Sequence, residues 1–179
     1  MELKYSLDDN DFLVYQLYTA SKSKNIKNQR QRTFLIMVAV FVVMFYSIYS
    51  TPETPSYYIL IFFLLLIVYR LYDSSRYKNH YKKFINDNYK ERFGLMCTLN
   101  FAENQIIEYS KIGESKINYD SLAEINEIQD YYFLKLITSQ SFIIPKKEIR
   151  DSQGFKLKLN DLKSKYQLKE NIDLNWKWK

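Results

Sequence analysis

Two long apolar runs without a charge dominate what this chain can become. Residues 33–50, TFLIMVAVFVVMFYSIYS, and 56–69, SYYILIFFLLLIVY, contain no Asp, Glu, Lys or Arg. As a helix the first run spans about 27 Å, close to a hydrocarbon core of about 30 Å. The second reaches about 24 Å once it is extended through residue 72 with Arg70 snorkelling to the interface. A buried β-hairpin wants strands of about 5–6 residues, far shorter than either run. Between the runs lies Glu53, flanked by Pro52 and Pro55, a segment that stops a helix and suits a solvated reversal. The runs therefore predict a two-span transmembrane helical hairpin over residues 33–72, with spans at 33–50 and 56–72.

Average composition conceals this. A mean hydropathy of −0.36 and 26% charged residues resemble a soluble domain, but the charges are partitioned. Lys22, Lys24, Lys27, Arg30 and Arg32 precede the first run, with no acid in residues 21–32. Arg70, Arg76, Lys78, Lys82 and Lys83 follow the second, against Asp73 alone. The connecting segment has neither Lys nor Arg, so the positive-inside rule places both termini in the cytoplasm, as for a multi-pass protein of the cytoplasmic membrane. Topology signalling accounts for these basic flanks; a specific anionic-lipid contact is the alternative. A long polar stretch precedes the first run and no small-residue cleavage motif follows a basic segment, so no signal peptide is expected. Cys97 is the sole cysteine, which excludes an internal disulfide and fits a reducing compartment.

Outside the runs, residues 1–32 read as an N-terminal strand (ELKYSL) and an amphipathic helix. Ser6 with Asp9 resembles a capping box, and Phe12, Leu13, Tyr15, Leu17 and Tyr18 supply an apolar side. No Gly or Pro interrupts this helix before residue 52, so it is free to run on into the first span. Tyr77, Tyr81, Phe84, Ile85 and Tyr89 recur at helical steps and predict a juxtamembrane helix over 73–94. From residue 95 the period changes to two: Leu95, Cys97, Leu99 and Phe101 alternate with polar or flexible neighbours. Further strands are expected at 106–110, 116–119, 122–128, 131–137 and 141–145, the last at an edge or strand end because it finishes on Pro145. Phe155, Leu159, Leu162 and Tyr166 form one helical stripe, and 171–179 is left as a tail. The fold class is thus an α+β membrane protein. Its cytoplasmic antiparallel β-rich domain spans 95–170 and is closed by a C-terminal helix, in a pleckstrin-homology-like or another α+β arrangement.

Several short motifs fit one pattern: Asp11-Phe12 at a helix start, Asn100-Phe101 before a polar turn, the series Tyr119, Ile125, Glu127 and Tyr132, and above all Ile143-Ile144-Pro145-Lys146-Lys147. Together with the two-span hairpin, the chain resembles the YcxB-like family of bacterial membrane proteins. That resemblance implies a membrane-anchored cytoplasmic β-rich domain and brings no catalytic site with it.

The chemistry search points away from catalysis. The three glycines, Gly94, Gly113 and Gly154, are too scattered for a phosphate-binding loop. His80 is the lone histidine and has no ligand-spaced companion. Cys97 sits in an alternating strand as a small core residue, and Glu124 and Glu127, at odd spacing, fall on opposite strand faces. Trp176-Lys177-Trp178-Lys179 reads either as a frayed end or as a contact with headgroups or a partner. Nucleic acid is not expected, because the basic and aromatic stretch at 70–83 adjoins a span. The reading is a non-enzymatic binding protein without cofactor or metal, held in the bilayer and engaging a protein partner. The alternatives are an immunity protein against a membrane-acting toxin and a membrane-surface enzyme. Candidate partner-binding residues are Lys111, Gly113 and Glu114 in the 111–116 loop, and Ile143, Lys146 and Lys147 at an exposed strand.

Overall fold

The computed structural model describes residues 1–49 and 57–178; the expected Pro52–Pro55 reversal lies outside the described residues. Among these the chain is α+β, with four α-helices and two four-stranded sheets. It divides into a β-rich unit, residues 1–15 and 85–177, and a helical unit, residues 16–84 with Trp178.

In the β-rich unit, β1 (Glu2–Ser6) pairs antiparallel with β2 (Met96–Phe101), Leu3 opposite Leu99 and Tyr5 opposite Cys97. With β3 (Gln105–Ser110) and β4 (Gly113–Asn118) they form a sheet of order β1-β2-β3-β4. The alternation of β2 holds: Cys97, Leu99 and Phe101 are buried and Met96 is exposed. Leu3 and Tyr5 continue the same apolar face. The first strand is therefore an edge of this sheet and belongs to the same unit as residues 85–177.

The second sheet has the order β7-β6-β5-β8, built from β5 (Leu122–Ile128), β6 (Tyr131–Leu136), β7 (Ser141–Pro145) and β8 (Lys169–Asp173). The expected single antiparallel meander is corrected twice, since the strands divide between two sheets and β8 runs parallel to β5. One face of this sheet joins the core with α4 (Ser152–Tyr166), where Phe155, Leu159 and Leu162 are buried along the expected stripe. The Phe155 ring meets those of Phe101 at 5.7 Å and Tyr132 at 5.3 Å, bringing both sheets onto one helix. Asp151 caps α4 by accepting from the Gly154 N–H at 2.8 Å, and Gln167 ends it in the left-handed region, φ 52°.

The other face is covered by the first residues of α1 (Asp9–Lys22). The Tyr15 ring meets Phe133 at 5.4 Å, and its hydroxyl lies 3.0 Å from Ser141 Oγ. The Tyr131 hydroxyl donates to Asp11 Oδ1 at 2.7 Å. Asp11, only 2% exposed, also accepts from the Asp8 N–H while Asp8 Oδ1 accepts from the Asp11 N–H, both at 2.8 Å. This reciprocal pair is the capping box. It replaces the one expected at Ser6 and Asp9, because Ser6 still belongs to β1. The helix expected over 73–94 is the second half of α3 (Tyr57–Tyr89), which ends five residues early. Gly94, at φ 70°, then turns the chain and donates its N–H to Leu7 O at 2.9 Å.

In the helical unit, α2 (Lys24–Tyr49) does not continue α1. Ser23 separates them, its Oγ accepting from the Ile26 N–H at 3.4 Å, which corrects the expected uninterrupted helix. Among the described residues one helical stretch, Lys24–Ser47, is long and apolar enough to cross a membrane, where two spans were expected, and its apolar window has no buried residue. Leu60, Phe63, Leu64 and Ile67 of α3 are likewise exposed.

Truncating Leu159 or Leu162 to Ala removes core contacts from α4 and should cost about 2–5 kcal/mol in denaturant unfolding. Lys156→Ala, on the exposed side, should stay within about 0.5 kcal/mol. Equal costs would show that the helical phase is wrong.

Candidate functional site

The residues singled out for partner contact divide between the two sheets. Lys111 and Ile112 form a two-residue turn, and Gly113 and Glu114 already belong to β4. The expected loop over 111–116 is thus a tight hairpin, held by Ser110 Oγ, which accepts from the Ile112 N–H and donates to Gly113 O, both at 3.3 Å. β4 is an edge strand, bonded to β3 alone, with register Ser110↔Gly113 through Gln105↔Asn118. Its outward side chains are exposed, and beside them Tyr109 (44% exposed) and Ile112 (60%) present apolar surface. Lys116 and Glu114 pair at 3.0 Å in solvent, which contributes little to stability.

The second group is built into the fold. Ile143 is 5% exposed and opposite Phe133, so its side chain is buried, although β7 itself is an edge strand bonded to β6 alone, as a strand ending on Pro145 was expected to be. Lys146 Nζ lies 2.6 Å from Glu127 Oε1 and 4.8 Å from the Tyr132 ring centre. Burial, followed by the Glu127 charge, pushes the Tyr132 hydroxyl well above the ordinary tyrosine pKa. Lys146 thereby neutralises a half-buried carboxylate next to the core, a role no periodicity announces. Lys147 alone of the three is exposed.

Glu124 and Glu127, expected on opposite strand faces, each have a basic partner. Glu124 is held by Lys135 at 3.1 Å and by Asn171, whose amide also donates to Asn126 Oδ1 at 2.9 Å. Glu127 belongs to Lys146. Cys97 donates from Sγ to Glu108 Oε1 at 3.3 Å, and burial, then the Glu108 charge, pushes its thiol up to about 12. His80 is exposed and packs edge-on against Tyr81. Among the described residues no cluster of His, Cys, Asp and Glu could hold a metal ion.

Residues 101–158 match the YcxB-like protein family. No curated protein and no solved structure matches the chain. The YcxB-like segment runs from the last residue of β2 into α4 and contains all six candidate residues, Lys111, Gly113, Glu114, Ile143, Lys146 and Lys147.

Outside the YcxB-like segment, the helical unit holds a constellation that sequence reasoning missed. Arg30 Nε lies 2.8 Å from Asp73 Oδ2, with side chains only 14% and 6% exposed. Its guanidinium sits 5.2 Å from the Tyr77 ring centre and 4.9 Å from that of Trp178. Trp178 Nε1 donates to Ser74 O at 3.1 Å. The expected tail is accordingly docked at Trp178, and residues 169–173 are β8. The available signal was Asp73, the one acid in a basic flank. Removing one partner of such a buried pair typically costs about 3–5 kcal/mol.

With its pKa near 12, the Cys97 thiol stays protonated throughout the neutral and mildly alkaline range. Native protein at pH 9 should therefore react with iodoacetamide roughly a thousandfold more slowly than the urea-unfolded chain, at tenfold per pKa unit. Comparable rates would contradict a buried, Glu108-bound thiol.

Proposed function

We propose that this chain is a multi-pass protein of the cytoplasmic membrane that works by binding, without catalysis, and presents its β-rich unit in the cytoplasm. One observation carries the topology. β1 precedes both apolar runs, β2 follows them, and the two pair over five residues of register. Paired strands lie on one side of a bilayer, so the chain between them crosses it an even number of times. Zero crossings would leave the apolar side chains of α2 and α3 in water, against the cost of exposing so extended a patch. Two crossings put α2 through the membrane and bring the chain back along α3. The apolar part of α3 is short because Arg70 interrupts it, and that is the length a snorkelling arginine accommodates. Basic residues at both feet favour the cytoplasmic side for both termini. A sheet containing β1–β4, three consecutive antiparallel strands β5–β7 and a C-terminal helix support a pleckstrin-homology-like arrangement to which β8 is added.

The partner surface in this reading is the β3–β4 hairpin. β4 offers an edge for main-chain pairing, and Tyr109 and Ile112 flank it with apolar contacts. A photo-reactive residue at position 114 should yield one adduct of fixed mass in native membranes. The same group at position 156 on α4 should not, and Ile112→Asp should reduce the position-114 adduct at least fivefold. Equal adducts from both positions, or substrate turnover by the purified protein, would overturn the reading. An adduct that proved to be a membrane-attacking toxin would make the binding protective.

A further inference from the structure

The helical unit contains a recess of about 250 Å³ lined by Lys27, Arg30, Gln31, Phe34 and Arg70, with the end of α1 at its rim. Lys27, Arg30, Gln31 and Phe34 fall at i, i+3, i+4 and i+7, so α2 turns one face toward it. Arg70 enters from α3, immediately past the uncharged stretch. Three cations converge and no acid lines the recess. The nearest counter-charge, Asp73, is committed to Arg30, leaving an excess of two positive charges. Lys27 and Arg70 are exposed and form no ion pair among the described residues. Arg30 is a fixed cation, since Asp73 and the Tyr77 and Trp178 rings hold its guanidinium in place. Positive-inside signalling needs charge near a span but no convergence of charge from two helices on one cavity.

We infer that this recess binds a phosphate group, with the headgroup of an anionic phospholipid as its source. The volume takes a phosphate and a short polyol but falls below the range of about 300–1,000 Å³ usual for drug-sized ligands. Its chemistry is graded along α2: Lys27 and Gln31 are polar donors, while Phe34 packs against Tyr69 at 6.2 Å and begins the apolar stretch. From Lys27 to Phe34 is about 10 Å along the helix, enough to cover a headgroup layer of about 5–8 Å on one side of the hydrocarbon core. A phosphodiester at the lysine and arginine level would leave its acyl chains beside Phe34, outside the recess. The lipid source rests on the membrane-anchored reading; the phosphate chemistry does not.

The test uses the full chain in a neutral detergent, with binding of phosphatidylglycerol and phosphatidylcholine followed by native mass spectrometry. One phosphatidylglycerol should be retained at least tenfold more tightly than phosphatidylcholine. Lys27→Gln/Arg70→Gln should weaken it about 30-fold, at roughly fivefold per basic residue. Arg76→Gln/Lys82→Gln, which removes the same amount of charge from the basic flank after the second run but outside the recess, should change it less than threefold. An unchanged thermal unfolding midpoint confirms that the variants are folded. Equal losses in both double variants, or no preference for the anionic lipid, would overturn the site. Glycerol 3-phosphate competing as well as the lipid would support the phosphate site and assign it a soluble source. Extraction of the chain from native membranes by alkaline carbonate would refute anchoring, an outcome read separately from the glycerol 3-phosphate arm.

Discussion

The pairing of β1 with β2 constrains everything else in this protein. Leu3 and Tyr5 complete an apolar face that Cys97, Leu99 and Phe101 begin, though some ninety residues separate the strands in sequence. Closing so long a loop is entropically unfavourable, and the cost grows slowly with length. Burial on both sides offsets it, since the strand is stitched to its neighbour and the following α1 turn is stitched to the second sheet. Whatever the intervening residues do, they must return the chain to where it started.

The second sheet shows why the N-terminal residues cannot be dispensed with. Its core face has α4, but its other face carries Tyr131, Phe133 and Ile143, all buried. The cover there includes Asp11 and Tyr15, and it is specific as well as apolar. Tyr131 donates to Asp11, and burial first, then that hydrogen bond, raises the Tyr131 pKa well above the ordinary tyrosine value. A neutral phenol donating to a carboxylate is the arrangement that keeps a buried Asp satisfied. In the helical unit, Arg30 and Asp73 do the corresponding work between α2 and α3, and the aromatic rings of Tyr77 and Trp178 shield the pair from water.

Periodicity made some of this legible and was blind to the rest. The stripe of α4 and the alternation of β2 come from large apolar residues whose spacing has one structural solution, so they could be read directly. β8 could not, because it is short and only half-buried. It joins β5 through its backbone and an Asn171–Asn126 amide contact. Boundaries slipped where local chemistry decides them, at Ser23, where a hydroxyl begins a new helix, and at Asp8, which caps α1 in place of Ser6. Among the candidate contact residues, Lys111, Gly113 and Glu114 are accessible, whereas Ile143 and Lys146 serve the fold. An isoleucine–proline–lysine sequence looks the same in either role; only the position of Glu127 and Phe133 in three dimensions separates them.

The β-rich unit is built from both ends of the chain, and in the proposed reading the segment between them leaves the cytoplasm once and returns. The central claim of that reading is the even number of crossings. The most direct measurement labels single cysteines in a Cys97→Ser background with a membrane-impermeant maleimide, comparing Glu53→Cys with Glu114→Cys. The account predicts that position 53 reacts in intact spheroplasts and position 114 only after lysis. Labelling of both in intact spheroplasts, or of position 114 with position 53 protected, would contradict it.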